Sequence, residues 1–140
     1  MEVMTKTVLC AIDGSLHDQE AIRLSVAIAA GMDAKLNLLA VDHVNFDGRS
    51  APVHELGHQK VQELLTKSRD IAIEAGCPDP RMTAVAGRDI ARAILNYAEE
   101  QHVDHIVLGT GEKMFVERLL IGSVSHDVVL GAHCGVSVAR

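Results

Sequence analysis

Aromatic residues are scarce in this chain, which has no tryptophan, one tyrosine and two phenylalanines among 140 residues. Proteins that bind single-stranded nucleic acids stack the bases on aromatic side chains, so the composition disfavours such a platform. Basic residues are also in the minority, because 13 Lys and Arg stand against 19 Asp and Glu and give a formal net charge of −6. A protein that neutralises phosphates along a nucleic acid needs a basic patch. We therefore expect no nucleic-acid partner.

Long apolar runs and paired cysteines are absent from the sequence as well. A transmembrane helix needs about 20 consecutive apolar residues, and the most apolar stretch, around residues 26–30, ends at Gly31 and Asp33. The N-terminal residues contain no basic segment followed by a long apolar one, so we predict neither a signal peptide nor a membrane partner. The three cysteines are an odd number without CxxC spacing. Reduced thiols and a cytoplasmic location are the corresponding expectation.

What the chain does contain is enough apolar sequence for one core. Hydrophobic residues make up 48% of it, and its length matches a single domain of about 100–150 residues, which we assign to residues 1–140. Short β-branched segments alternate with segments of helical periodicity, which predicts an α/β fold, a single doubly wound domain with a five-stranded, mostly parallel sheet and four helices. The predicted strands are 5–12, 35–41, 81–86, 105–108 and 136–139, and the predicted helices are 17–30, 52–75, 90–98 and 123–130.

In such folds ligands bind beyond the carboxyl ends of the strands, where the strand order reverses. The segment after the fourth predicted strand reads IVLGTGEKMFVERLLIGSVSHDVV. Because Gly122-Ser123 directly precedes a predicted helix, the first backbone N–H groups of that helix would point outwards and suit a phosphate. The alternative is that Ser123 only caps the helix and the glycines only make turns.

Four segments resemble the universal stress protein family, and together they extend the resemblance over the whole chain: VLCAIDGS, KLNLLAVDHV, AGRDIARAILNYAEEQHVDHIVLG and RLLIGSVS. Nucleotide-binding members share the pattern G-x2-G-x9-G-[ST], whose first and last positions fall on Gly109 and Gly122-Ser123. The resemblance implies the strand order 3-2-1-4-5 and a homodimer through the last strand, Val136 to Ala139. It also implies a cytoplasmic sensor or regulator of the stress response that acts on an unidentified protein partner.

The resemblance further implies a site for ATP or a related adenine nucleotide, which Mg²⁺ would accompany. By the family pattern, Asp13 contacts the ribose and the backbone at Val41 holds the adenine, while the glycine loop and the helix start hold the phosphates. An alternative for Asp13 is that it caps the following helix. The predicted binding residues are Ala11, Asp13, Val41, Leu108, Gly109, Gly111, Gly122, Ser123 and Val124. We predict no catalytic residue and at most slow ATP hydrolysis, because nothing in the pattern positions a nucleophile or a strong base.

One departure from the family pattern concerns the middle glycine, whose position is occupied by Glu112. A carboxylate there would repel a phosphate. Alternatively, the loop shifts by one residue so that Gly111 makes the contact, and Lys113 offsets the charge. A family member that has lost nucleotide binding and acts through protein partners only is therefore an alternative function.

A second alternative comes from the string His54-Glu55-Leu56-Gly57-His58, which matches HExxH. On a helix this spacing places two imidazoles on one face to bind zinc, with Glu55 as the general base of a hydrolase. Catalytic zinc needs a third protein ligand, and positions 61 and 64 hold Val and Leu. We therefore predict no metal site here.

Overall fold

The computed structural model describes residues 5–45, 51–110 and 123–140. Within these ranges strands alternate with helices along the chain, which confirms the predicted α/β class. In chain order the elements are β1 (Thr7–Ile12), α1 (Asp18–Met32), β2 (Lys35–Asn45), β3 (Val53–His54), α2 (Gly57–Glu74), β4 (Arg81–Gly87), α3 (Ile90–Glu100), β5 (His105–Gly109), α4 (Ser123–Gly131) and β6 (Gly135–Ala139).

The sheet has the predicted order for its five longer strands. β1 pairs in parallel with β2 and β5, β4 pairs in parallel with β2, and β6 pairs in parallel with β5. The order β4-β2-β1-β5-β6 corresponds to 3-2-1-4-5 when only these strands are counted. The short β3 is an additional strand, antiparallel to the end of β2 through Val44 and His54. The neighbours β1 and β5 therefore flank the point where the strand order reverses.

The two faces of the sheet are covered by different helices. Val8 and Cys10 of β1 pack in one apolar cluster with residues of α1 and α2, whereas Leu9 packs in another with residues of α3 and α4. All three side chains have no exposed surface. Strands buried on both faces are apolar along their whole length, which explains the continuous apolar runs in the sequence. No helix in the described ranges is long and apolar enough to cross a membrane.

The predicted helix 52–75 is wrong at its start. Pro52 precedes β3, and α2 begins only at Gly57. The cause is a contact with a distant residue, since the buried carboxylate of Asp42 accepts hydrogen bonds from the backbone N–H groups of Leu56 at 3.0 Å and Gly57 at 3.3 Å. A side chain at the end of β2 thus caps α2, and local spacing does not reveal such a cap.

The end of α1 also differs from the prediction, which ended this helix at residue 30. The helix continues to Met32, and Asp33 adopts a left-handed conformation with φ of 55° as the C-cap. Its backbone N–H bonds the carbonyl of Ala30 at 3.3 Å. Asp is one of the few residues other than glycine that visit this conformation routinely, so a nearby glycine did not have to supply it.

Candidate functional site

A pocket of about 220 Å³ lies at the carboxyl ends of β1 and β5, where the strand order reverses. Its described lining comes from the ends of β1 and β5, from Val41 of β2, from the turn after β1, and from residues near the starts of α1, α3 and α4. Among the predicted binding residues, this lining includes Ala11, Asp13, Val41, Leu108, Gly109, Ser123 and Val124. Gly111 and Gly122 lie outside the described residues, as does Glu112.

The apolar wall of the pocket includes two side chains that the motifs did not indicate. Ile90 and Ile94 of α3 line it together with Val41 and Leu108. Ile94 is 2% exposed and Leu108 is 4% exposed, so this wall is continuous with the core. The helical periodicity of residues 90–98 predicts an apolar face but does not show that part of this face borders a ligand pocket. An apolar wall suits an aromatic ring.

Gly109 has a steric role at the point where β5 reaches α1. A Cβ atom at this position would lie 2.8 Å from the Cβ of His17 and 3.2 Å from its carbonyl oxygen. Only glycine therefore allows β5 to approach the start of α1 this closely. The hydroxyl of Ser125 donates to the carbonyl of Gly109 at 2.8 Å, which ties the first turn of α4 to the same strand end.

Two carboxyl groups meet in the turn between β1 and α1. Asp13 accepts a hydrogen bond from the N–H of Ser15 at 2.8 Å. This bond stays within the turn and does not cap α1, because Ser15 precedes the N-cap residue His17. Asp18 instead turns back and accepts from the N–H groups of Asp13 at 3.2 Å and Gly14 at 2.8 Å. The sequence did not point to Asp18, since an acidic residue in a first helical turn ordinarily only complements the helix dipole.

The burial of Asp18 gives this turn its electrostatic character. Asp18 is 7% exposed. Desolvation raises the pKa of Asp18 to about 7, and the neighbouring Asp13 carboxylate adds to this rise. The hydrogen bonds from the backbone N–H groups act in the opposite direction and lower the pKa. The other described lining residues carry no Lys, Arg or His side chain. The described part of the pocket is thus polar and acidic at one end and apolar at the other.

The HExxH string does not form the helical zinc site that its spacing suggests. His54 lies in β3 and His58 in the first turn of α2, so the two residues are not on one helical face. The His54 Nδ1 atom lies 2.9 Å from Asp42 Oδ2, and Glu55 Oε1 lies 3.0 Å from His43 Nδ1. Across residues 5–45, 51–110 and 123–140, no group of three or more His, Cys, Asp and Glu side chains is placed to hold a metal ion. The helix that the zinc alternative requires is contradicted.

Comparisons with known proteins point to one family. The sequence profile of the universal stress protein family matches residues 4–140. A protein of Staphylococcus aureus strain USA300 that is assigned to the universal stress proteins is 31% identical over 139 residues, which cover 96% of this chain and 84% of that protein.

Two solved structures have the same fold. A universal stress protein in complex with cAMP superimposes with a TM-score of 0.75 at 24% identity, and the match covers 96% of both chains. The universal stress protein from Archaeoglobus fulgidus in complex with dAMP superimposes with a TM-score of 0.72 at 17% identity, over 99% of this chain and 100% of that one.

Proposed function

Because the chain belongs to the universal stress protein family, we propose that its pocket at the carboxyl ends of β1 and β5 binds an adenine nucleotide. One observation carries the proposal: the family motifs assign binding roles to residues in separate segments of the chain, and the described ones line a single pocket. The relatives solved with cAMP and dAMP support the choice of an adenine ligand.

The proposed roles follow from the chemistry of the lining. The apolar wall formed by Ile90, Ile94 and Leu108 removes the faces of the adenine ring from water, and the backbone at Val41 supplies hydrogen bonds to its edge. The Asp13 carboxylate accepts hydrogen bonds from the ribose hydroxyls. The start of α4 at Ser123 presents backbone N–H groups to the phosphates.

The residues present also fit a magnesium ion that accompanies the phosphates. Magnesium is commonly held by one or two carboxylates together with the phosphates of its nucleotide, and Asp13 and Asp18 both line this pocket. When bound, the ion would neutralise phosphate charge. We propose a regulator with at most slow hydrolysis, because the described lining offers no lysine or arginine that would stabilise the charge of a phosphoryl-transfer transition state.

A homodimer through β6 and a cytoplasmic location complete the proposal. Among the described strands β6 pairs only with β5, so its other edge is available to a second copy. An exposed strand edge favours pairing with another chain. A protein partner of unknown identity would distinguish the nucleotide-bound dimer from the nucleotide-free dimer.

Calorimetry with adenosine, cAMP and ATP tests the nucleotide site. Ala11 lines the pocket at the end of β1, so Ala11→Phe should fill the space for the ligand and abolish binding of all three compounds. Ala27→Phe places the same side chain on the exposed surface of α1 and should bind like the wild type. If the folded wild-type protein binds none of the three ligands, the family member without nucleotide binding becomes the better description.

A further inference from the structure

A second pocket, of about 410 Å³, lies at the amino ends of β1, β2 and β4. Its described lining includes the first residue of each of these strands, namely Thr7, Lys35 and Arg81. The pocket proposed for the nucleotide lies at the opposite ends of the strands, so the two pockets are separate. Ligands of parallel sheets ordinarily bind at the carboxyl ends, and a polar pocket at the amino ends therefore needs its own explanation.

The strand register places two cationic side chains beside each other at this pocket. Arg81 is paired with Asn37 in the parallel register of β4 and β2. Residues two apart along a strand share a face of the sheet, so Lys35 and Asn37 lie on the same face as Leu39, which packs with residues of α3. Lys35 and Arg81 thus begin neighbouring strands, and both line the pocket under the end of α3.

A closed ring of three hydrogen bonds forms the most buried part of the pocket. Asn37 Nδ2 donates to Tyr97 Oη at 2.6 Å, Thr83 Oγ1 donates to Asn37 Oδ1 at 3.1 Å, and the two hydroxyl oxygens lie 3.2 Å apart. Because the single hydroxyl proton of Thr83 goes to Asn37, Tyr97 is the donor in the third bond. Asn37 is 8% exposed. The ring therefore fixes three polar side chains in an otherwise apolar region of the sheet.

One explanation of this ring is that it only fastens α3 to the sheet. That explanation accounts for the burial of Asn37, because a buried amide must be hydrogen-bonded. It does not account for Lys35 and Arg81, which stand outside the ring and line the same pocket in a chain whose net charge is −6. Two cations beside a fixed polar floor favour an anionic ligand.

The types of charged residue indicate which anion fits. An arginine guanidinium binds a phosphate through two parallel N–H bonds, and a lysine adds a point charge. Asp79 also lines the pocket. Its carboxylate accepts hydrogen bonds from hydroxyl groups and would repel a second anionic group on the ligand. A single phosphate attached to a hydroxylated body satisfies all three side chains, and the volume is within the range of about 300–1,000 Å³ for small-molecule sites.

We propose that this second pocket binds a small hydroxylated phosphate monoester, with Lys35 and Arg81 on the phosphate and with Asp79 and the ring of Asn37, Thr83 and Tyr97 beside the hydroxyl groups. The site is distinct from the nucleotide pocket and does not depend on it. Its ligand and the nucleotide would bind at opposite ends of the same strands.

Backbone amide NMR during a titration with glucose 6-phosphate tests the proposal. In the wild type we expect the largest shift changes at Asn37, Arg81, Thr83 and Tyr97. Glucose, which has the hydroxyl groups without the phosphate, should bind at least about tenfold more weakly, as expected for the loss of a charge-assisted hydrogen bond. Inorganic phosphate that binds as tightly as glucose 6-phosphate would show that the hydroxylated part of the ligand class is wrong.

A matched pair of variants separates specific binding from general attraction to positive charge. Arg81→Gln removes an exposed guanidinium from the pocket and should weaken binding of glucose 6-phosphate at least about tenfold. Arg69→Gln removes an exposed guanidinium from α2 and should leave the affinity unchanged. Equal effects of the two variants, or no shift changes at millimolar glucose 6-phosphate, would overturn the proposal. Shift changes confined to Ala11 and Gly109 would also overturn it, and they would leave the nucleotide site intact.

Discussion

At the scale of single residues, two side chains show how close packing constrains the pocket. Gly109 is needed because β5 touches the backbone of His17. Asp18 is needed because it accepts two N–H groups of the turn after β1. The glycine pattern of the family predicted Gly109 as a site residue, but it did not predict the steric reason for a glycine there. Asp18 was not predicted, because its role depends on burial and on backbone donors whose directions only the folded turn defines.

The steric role of Gly109 is tested by Gly109→Ala. A methyl group 2.8 Å from the Cβ of His17 must displace α1 or β5, and we expect a loss of about 1–3 kcal/mol in the free energy of unfolding. Gly31→Ala is the matched control, because its methyl group meets nothing within 4 Å. Since Gly31 lies within α1, this change should stabilise the fold by about 0.5–1 kcal/mol. Urea denaturation measures both, and equal effects would contradict the steric argument.

The burial of Asp18 makes stability depend on pH. Its folded-state pKa of about 7 exceeds the ordinary 3.8, so the folded state binds more protons than the unfolded state between these values. Stability therefore falls as pH rises from about 4 to 7, and the loss is complete above pH 7. Three pKa units correspond to at most about 4 kcal/mol.

The Asp18→Asn variant should lose this part of the pH dependence. Urea denaturation at pH 5 and pH 8 gives the difference for each protein, and the wild type should show the larger fall. Asp127→Asn should retain the wild-type profile, because its carboxyl group is exposed. Parallel profiles for the wild type and Asp18→Asn would show that Asp18 titrates normally.

At the scale of secondary structure elements, the end of β2 positions both β3 and α2. Asp42 caps α2 and contacts His54 of β3, and His43 bonds the carbonyl of Arg88 at 2.9 Å beyond β4. Periodicity predicted the strands and the helices on both faces, because each element has its own apolar pattern. It did not predict β3 or the start of α2, because these depend on a carboxylate that lies 14 residues earlier in the chain.

Removal of this cap should weaken α2 in particular. Asp42→Ala leaves the N–H groups of Leu56 and Gly57 without their acceptor, and we expect a loss of about 2 kcal/mol in the free energy of unfolding. Hydrogen exchange should accelerate first in the first turn of α2. Asp70→Ala, on the exposed face of the same helix, is the control and should change stability by less than about 0.5 kcal/mol. Unchanged exchange at the start of α2 in Asp42→Ala would refute the capping role.

At the scale of the whole molecule, the fold brings together residues separated by more than a hundred positions. Ala11 and Val124 line one pocket because β1 and β5 are neighbours in a sheet whose order reverses between them. The family motifs predicted most of this assembly, since they name both the strand order and the strand ends. They did not predict Ile90 and Ile94, because an apolar helix face looks the same whether it covers the core or a ligand.

The open edge of β6 predicts the oligomeric state. Light scattering at micromolar concentration should give twice the chain mass of 15.0 kDa. Two edge strands that pair would continue the sheet across both copies. A mass of 15.0 kDa that persists as the concentration rises would show that β6 does not pair in this way.

The central claim, an adenine site between the ends of β1 and β5, is tested most directly by backbone amide NMR during a titration with adenosine. Adenosine carries no phosphate, so neither Glu112 nor the charge of Asp18 complicates the result. We predict the largest shift changes at Ala11, Val41, Gly109 and Val124, together with none in the polar pocket at the opposite ends of the strands, around Lys35 and Arg81. Shift changes confined to Lys35 and Arg81, or no changes at millimolar adenosine, would contradict the account.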